Sequence, residues 1–295
     1  MDEGLIAQLA LALEADRPVV LASVLETHGS TPRQRGARML IEADRIHASV
    51  GGGAMEAQVV AAARSMLALS TDVEELQIAL DGRRGSAGVC GGGMRLALRR
   101  WHGATMAKRA RALADALAQG KSAHLNADEL GTDTSEARTL VPRSRLLIVG
   151  AGHCGHALAQ LAQWLDFEVL VADSRAECFA PGRFGQAQCL DGSADSLHDA
   201  CATPRALFIV LLSRDYPTDV ATLDTLAGTP CAFIGMMGSQ RRVQQVRQAL
   251  PQHAAWLESL IAPIGLEIGH QTPHEIAVSI LAQLIARRRR ALASG

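Results

Sequence analysis

The feature that most constrains the fold of this chain is a short apolar run followed by three spaced glycines. Residues 146–149 have the length and composition of a buried parallel strand. They lead directly into Gly150-x-Gly152-x-x-Gly155, then into a helical pattern and a second apolar strand that ends on Asp173. This order is the Rossmann βαβ fingerprint, in which glycines turn the chain, admit a phosphate and let helix and strand pack closely. The sequence therefore predicts a Rossmann unit here.

The helix after the glycines has one apolar face, which we expect to be buried. Its members are Ala157, Leu158, Leu161, Trp164 and Leu165. The first turn of this helix offers unpaired N–H groups and positive partial charge to an anion.

Composition describes a globular chain of two domains. The 295 residues are 48% hydrophobic and 20% charged, and this length accommodates two domains of ordinary size. A formal net charge of −1 argues against a general nucleic-acid binder. The one basic block, residues 287–290, ends the last helix, where we expect its cations to complement the helix dipole and face solvent.

Neither a secretory signal nor a bilayer-spanning apolar run is recognisable, so we expect a cytoplasmic protein without membrane contact. Scattered cysteines without metal-binding spacing are typical of free thiols in a reducing compartment, most of them in the core. They are Cys90, Cys154, Cys178, Cys189, Cys201 and Cys231.

The fold class that we predict is α/β, with two domains. Residues 1–119 form a small N-terminal α/β domain, and residues 144–295 form a Rossmann-like domain with a doubly wound parallel sheet. Residues 120–143 are polar and lack apolar periodicity, which predicts a linker. In the last helix, Thr272 and Glu275 predict a capping box around Pro273.

Three glycine-rich segments of the first half are candidates for binding an anion. The first carries Arg33 and Arg38, the second has Gly52 and Gly53 directly before a helix, and the third is residues 90–93. Accessible backbone and guanidinium groups are what a phosphate-bearing ligand needs. Within the third segment, the thiolate of Cys90 is the candidate metal ligand and Gly91 a candidate binding residue.

Further candidates follow the strands of the second half, because ligands of open α/β sheets gather at the carboxyl ends of the strands. His153 lies in the glycine loop, and Asp173 would accept ribose hydroxyls from a dinucleotide. Gly235 and three residues in the segments that follow the later strands complete the set of candidates. These three are Arg214, Ser239 and Arg241.

A dehydrogenase would also need an acid–base residue in the first half. His28, His47 and Glu56 are available there, but they form no recognisable catalytic spacing. This counts against hydride transfer.

With these segments together, the chain resembles the XdhC/CoxI family of accessory proteins of xanthine dehydrogenase and related molybdenum hydroxylases. The resemblance runs nearly end to end. The segments that carry it are residues 29–37, Gly51-Gly-Gly-Ala-Met-Glu56, residues 90–92, residues 150–155, residues 235–239 and residues 265–276.

The resemblance implies a chaperone for the molybdenum cofactor (molybdopterin) that is not itself an enzyme. Such a protein holds the cofactor while a cysteine desulfurase supplies the terminal sulfur, and then passes it to apo-xanthine dehydrogenase. A homodimer is a common form for such accessory proteins. Some family members have a cysteine where this chain has Ala54, so either Cys90 is the thiolate ligand here or no protein thiolate contacts molybdenum.

Two other functions remain open. One is an NAD(P)-dependent oxidoreductase that uses Asp173 on the ribose. The other is a nucleotide-sensing module, with a nucleotide at the Rossmann loop and no chemistry.

Overall fold

The computed structural model describes residues 2–82, 86–88, 91–133, 138–213 and 215–293. Of residues 291–293 only the backbone is described. The chain divides into two compact units, Met1–Pro142 (unit 1) and Arg143–Gly295 (unit 2). Among the helices described, none is both long and apolar enough to cross a membrane.

Unit 1 combines four helices with seven strands among its described residues. In chain order these are α1 (Asp2–Glu14), β1 (Val19–His28), β2 (Arg38–Ile41), β3 (Ile46–Ala48), α2 (Gly53–Leu69), β4 (Val73–Leu80), β5 (Gly92–Trp101), α3 (Gly103–Ala118), β6 (Ala123–Leu125), α4 (Ala127–Leu130) and β7 (Arg138–Leu140).

A five-stranded antiparallel sheet, ordered β3-β2-β1-β5-β4, forms the centre of unit 1. Alternate residues of β1 point to opposite faces, as the pleat of a strand requires. Val19 and Leu21 pack with α1 and α3, whereas Val20 and Ala22 pack with α2. The sequence predicts α1, α2 and the hairpin of β2 and β3 but does not single out α3.

Residues 120–143 are predicted as a linker, but the structure gives them β6, α4 and β7. The apolar side chains of Leu125, Leu130 and Leu140 are buried in the same cluster as α1 and α3. Asn126 caps α4 in a capping box with Glu129. Sparse apolar residues in a polar stretch thus suffice to attach it to unit 1, because a neighbouring surface completes their burial.

Unit 2 combines a parallel sheet with helices. Its strands and α-helices are β8 (Ser144–Val149), α5 (His153–Trp164), β9 (Phe167–Ala172), β10 (Gln188–Leu190), α6 (Ala194–Cys201), β11 (Leu207–Leu211), α7 (Tyr216–Thr225), β12 (Phe233–Met236), α8 (Gln240–Ala249), α9 (Ala254–Leu257), β13 (Leu260–Ile261) and α10 (Pro273–Ala293).

The six strands are all parallel and run in the order β10-β9-β8-β11-β12-β13. Helices α5 and α10 cover one face, over Phe208 and Val210 of β11. The other face carries α6, α7 and α8 over Ile209 and Leu211. This doubly wound sheet confirms the predicted Rossmann-like α/β class, and the order of the strands reverses between β8 and β11.

Two details of α5 and α10 differ from the sequence-based expectation. Trp164, predicted on the buried face of α5, is 88% exposed, because α5 ends at this residue and the chain turns into β9. In the basic block of α10, Arg288 is half-buried, lies 4.4 Å from the ring centre of Phe167 and donates to the carbonyl of Leu165. The predicted capping box holds, with Glu275 accepting from Thr272 N–H at 2.9 Å.

Substitutions in the middle and at the C-terminal end of α5 should have very different effects on the stability of unit 2. Leu158 is fully buried, so Leu158→Ala should lower the free energy of unfolding by about 2–5 kcal/mol. Trp164→Ser should change it by less than about 0.5 kcal/mol, because the ring is exposed. Urea titration followed by circular dichroism measures both, and an equal loss in the two variants would contradict this arrangement.

Candidate functional site

The glycine loop of unit 2 brings β8, α5 and β11 into close contact. Gly150 adopts φ +118°, and a Cβ on it would lie 2.8 Å from the carbonyl carbon of Leu212, directly after β11. A Cβ on Gly155 would overlap the carbonyl oxygen of Gly150. Both glycines are therefore required by backbone packing, as the fingerprint predicts for its first and third positions.

Gly152, the middle glycine, lies in a different environment. It is the N-cap of α5 with φ −69°, an ordinary value for any residue, and a Cβ there would meet no atom within 4 Å. The next residue, His153, is exposed in the first turn of the helix. The loop thus presents open backbone at the positive end of α5, where an anion is favoured.

Asp173 follows β9 and ties it to this loop. Its Oδ2 accepts the backbone N–H of Ala151 at 2.7 Å and Nη2 of Arg175 at 2.8 Å. Its Oδ1 accepts the backbone N–H and Nε of Arg175, at 3.0 and 2.9 Å. These four hydrogen bonds match the four lone-pair directions of a carboxylate.

The pKa of Asp173 reflects these partners. Burial alone would raise it, but the hydrogen bonds from Arg175 and Ala151 outweigh burial and lower the pKa to about 2. The same ion pair raises the pKa of Arg175 above its ordinary value. The carboxylate therefore stays ionised at every physiological pH.

A second polar cluster lies after β11, the neighbour of β8 in the sheet. Asp219 of α7 is 1% exposed, accepts a hydrogen bond from the hydroxyl of Ser213 and forms an ion pair with Arg242 of α8. Burial raises the pKa of Asp219, and its partners Ser213 and Arg242 oppose this. Arg242 also donates to the carbonyl of Asp215 at 2.8 Å, so the cluster holds the loop after β11 in place.

The remaining candidate residues of unit 2 lie in different environments. Ser239 caps α8 by accepting from the N–H of Arg242, and Arg241 is exposed in the first turn. Gly235 is instead buried inside β12, where a Cβ would lie 2.6 Å from Ile264, so packing explains this glycine. Arg214 lies outside the described residues.

In unit 1, the three glycine-rich segments come together at one end of the sheet. A Cβ on Gly29 would lie 2.7 Å from the carbonyl oxygen of Gly91 and 2.9 Å from Cα of Gly92. A Cβ on Gly51 would lie 2.6 Å from Pro32. Sequence spacing could not show this convergence, because it depends on the antiparallel pairing of β1 with β5 and of β2 with β1 and β3.

Glu56 shapes the second of these segments. Its carboxylate accepts the hydroxyl of Ser49 and the backbone N–H of Gly52 at 3.1 Å. Burial would raise the pKa of Glu56, but these hydrogen bonds outweigh it and lower the pKa. Gly52 and Gly53 have φ of +78° and +63° and open space at Cβ, so their backbone is accessible at the start of α2.

The two candidate arginines of unit 1 have different environments. Arg33 is exposed in the loop after β1, where it can reach a ligand. Arg38 is buried in β2 and donates from Nη1 to Asp2 at 2.8 Å, which joins the sheet to α1. Gly91 is exposed with φ +80°, and Cys90, the candidate metal ligand, lies outside the described residues.

The other candidate groups are a histidine of unit 1 and the cysteines. His47 pairs with Glu42 at 3.0 Å. The described cysteines lie outside any disulfide, as predicted, and Cys189 is exposed rather than in the core. Burial raises the pKa of Cys201 to about 11. Within the described residues, no group of three His, Cys, Asp or Glu side chains could hold a metal ion.

Sequence reasoning missed Arg175, Asp219 and Arg242. Arg175 had a usable signal, since a basic residue shortly after the acid of the second Rossmann strand often contacts a ribose-linked phosphate. The pair of Asp219 and Arg242 spans two helices and had no signal in the spacing.

Comparison with known families matches both parts of the chain. The profile described as "XdhC and CoxI family" matches residues 12–76. The profile described as "XdhC Rossmann domain" matches residues 146–284, which include β8 and its glycine loop.

Two curated relatives are 29% identical to this chain. The uncharacterized protein YqeB of Escherichia coli (strain K12) aligns over 296 positions, 96% of this chain and 46% of that protein. A probable subunit of xanthine dehydrogenase from Bacillus subtilis (strain 168) aligns over 160 positions, 50% of this chain and 44% of that protein. The chain therefore spans about half the length of the curated relatives it matches.

One solved structure shares the fold along nearly the whole chain. The crystal structure of a xanthine dehydrogenase from Bacillus halodurans superposes with a TM-score of 0.82, at 24% identity, over 98% of this chain and 96% of that one.

The glycines of the Rossmann loop can be separated by alanine substitution. Gly155→Ala should lower the free energy of unfolding by about 1–3 kcal/mol or more, because the new Cβ overlaps Gly150. Gly152→Ala should change it by less than about 1 kcal/mol, since neither φ nor packing opposes a methyl group there. Thermal and urea unfolding test this, and a large loss in Gly152→Ala would show that the middle glycine is structural.

The ion pair at Asp173 predicts a pH dependence of stability. Because its folded-state pKa is lowered to about 2, Asp173 stabilises the fold above its ordinary pKa, and this contribution is lost as pH falls from about 4 towards 2. Asp173→Asn should remove roughly 1–2 kcal/mol of that dependence. The matched control is Asp199→Asn, at an exposed acid of α6, and equal pH profiles in the two variants would contradict the assignment.

Proposed function

This chain belongs to the XdhC and CoxI family, and we propose on that premise that it is an accessory protein of a xanthine dehydrogenase. The Bacillus subtilis relative is named as a probable part of that enzyme. In the proposed role, the chain binds the molybdenum cofactor, holds it while a cysteine desulfurase supplies the terminal sulfur, and delivers it to the apo-dehydrogenase. The chain performs no catalysis of its own, and it acts as a homodimer.

The observation that carries this proposal is the convergence of three glycine-rich segments in unit 1. Gly29, Gly51 and Gly91 belong to three segments that are separate in the sequence. Gly29 lies against Gly91, and Gly51 lies against Pro32 of the first segment. The backbone of Gly52 and Gly53 lies at the start of α2, whose N-terminus favours negative charge. We place the phosphate of the cofactor there.

Side chains near these segments fit a phosphorylated cargo. Arg33 is exposed and supplies a guanidinium fork, the geometry that suits a phosphate. Glu56 keeps its charge on the backbone of the loop and so orders the segment that the phosphate would meet. Cys90 precedes Gly91 in the chain, and it is the proposed thiolate ligand of molybdenum.

The oxidoreductase alternative has less support. With NAD(H), such an enzyme would require Asp173 to accept ribose hydroxyls, yet the four hydrogen bonds from Ala151 and Arg175 already occupy this carboxylate. In unit 1, His47 is paired with Glu42 and Glu56 with Ser49. Both candidate acid–base groups therefore already have partners within unit 1.

The test is retention of the molybdenum cofactor by the purified chain after gel filtration, followed by activation of apo-xanthine dehydrogenase. Arg33→Ala should weaken retention about tenfold, because one charge-assisted contact to phosphate is lost. Arg45→Ala removes another exposed arginine of unit 1 and should leave retention unchanged. Cys90→Ala tests the thiolate in the same assay.

Three outcomes would overturn parts of this proposal. Turnover of NAD(P)H with a carbonyl substrate would make the chain an oxidoreductase. Failure of the loaded chain to activate the apo-dehydrogenase would remove the chaperone role. Retention that survives Arg33→Ala but is lost in Gly152→Val would move the cargo from unit 1 to the Rossmann loop of unit 2.

A further inference from the structure

The Rossmann loop of unit 2 has one glycine that the fold does not need. Gly150 and Gly155 are required because side chains there would overlap backbone. Gly152 has an ordinary φ, and a Cβ on it would meet no atom within 4 Å. A glycine at this position is useful where a ligand approaches the backbone closely, as a pyrophosphate does in this fold.

The groups beside the loop indicate which dinucleotide it takes. In a site for NAD, the acid after the second strand accepts the hydroxyls of the adenosine ribose. Here that acid is Asp173, and Arg175 covers it through a bidentate ion pair. A ribose hydroxyl would have to displace either this arginine or the N–H of Ala151, which Asp173 also binds.

Arg175 is itself available to a ligand. Its side chain is 56% exposed, and its hydrogen bonds use Nε and Nη2, which leaves the donors of Nη1 pointing away from the carboxylate. A guanidinium in this position suits a phosphate on the ribose, because it offers paired donors and a permanent charge. Asp173 holds Arg175 in place through this ion pair.

We propose that unit 2 binds an adenine dinucleotide carrying a 2′-phosphate, NADP(H), and that Arg175 is the residue that selects it over NAD(H). The pyrophosphate lies over Gly152 at the start of α5, and the 2′-phosphate contacts Arg175 beyond the end of β9. This site is separate from the cargo site proposed in unit 1. The proposal of this dinucleotide site does not depend on whether the chain binds a molybdenum cofactor.

The test measures binding of NADPH and NADH to the purified chain by nucleotide fluorescence, without molybdenum cofactor. We expect NADPH to bind at least about tenfold more tightly than NADH, because one charge-assisted phosphate contact distinguishes them. Adenosine 2′,5′-bisphosphate should compete with NADPH, since it carries the phosphate that Arg175 recognises. Inorganic phosphate at the same concentration should not.

Variants assign the preference to Arg175. Arg175→Ala should weaken NADPH binding about tenfold and leave NADH unchanged or stronger. Arg175→Lys keeps the charge without the fork and should fall between the two. Arg247→Ala removes an exposed arginine elsewhere in unit 2 and is the control, which should bind both nucleotides as the wild type does.

If a variant fails to fold, binding measurements on the wild-type protein are sufficient to contradict the proposal. NADH binding as tight as NADPH, binding of neither nucleotide, or competition by inorganic phosphate equal to that by the bisphosphate would each do so. A preference for NADPH that persists in a folded Arg175→Ala protein would exclude Arg175 as its source.

Discussion

The close approach of α5 to β8 at Gly155 is the contact on which the geometry of unit 2 depends. With no side chain at this position, the helix begins against the carbonyl of Gly150. This contact places the N-terminus of α5 at the carboxyl end of β8, where Ala151 can donate to Asp173. Two neighbouring strands and the helix between them are thereby locked at the point where the order of the strands reverses.

Unit 1 also places glycine backbone at the start of a helix, but through different contacts. Its sheet is antiparallel and has no βαβ loop, yet pairing of β1 with β5 brings Gly29 against Gly91 and Gly92. Close backbone contact between loops replaces the strand-to-helix turn of unit 2. Both units therefore present glycine backbone at the start of a helix, α2 or α5, which is the arrangement that favours phosphate groups.

Charged side chains in this protein are divided between holding the fold and facing solvent, and residue type does not decide which. Arg33 and Arg38 belong to one glycine-rich segment, but Arg38 is buried on Asp2. Asp219 is fully enclosed and is stabilised by Ser213 and Arg242 from neighbouring elements. Such partners come from distant positions, so a sequence pattern identifies the charges without identifying their roles.

Local spacing was enough to predict the Rossmann unit, the capping box of α10 and the family resemblance. The signals were glycines at fixed intervals, a capping pair three residues apart and motifs in a characteristic order. The structure of residues 120–143 depends instead on tertiary contacts, because their few apolar side chains are buried only against α1 and α3. The tertiary structure also decided that Trp164 faces solvent and that Arg175 covers Asp173. Burial and ion pairing are set by what packs nearby in space, which neighbours in sequence do not specify.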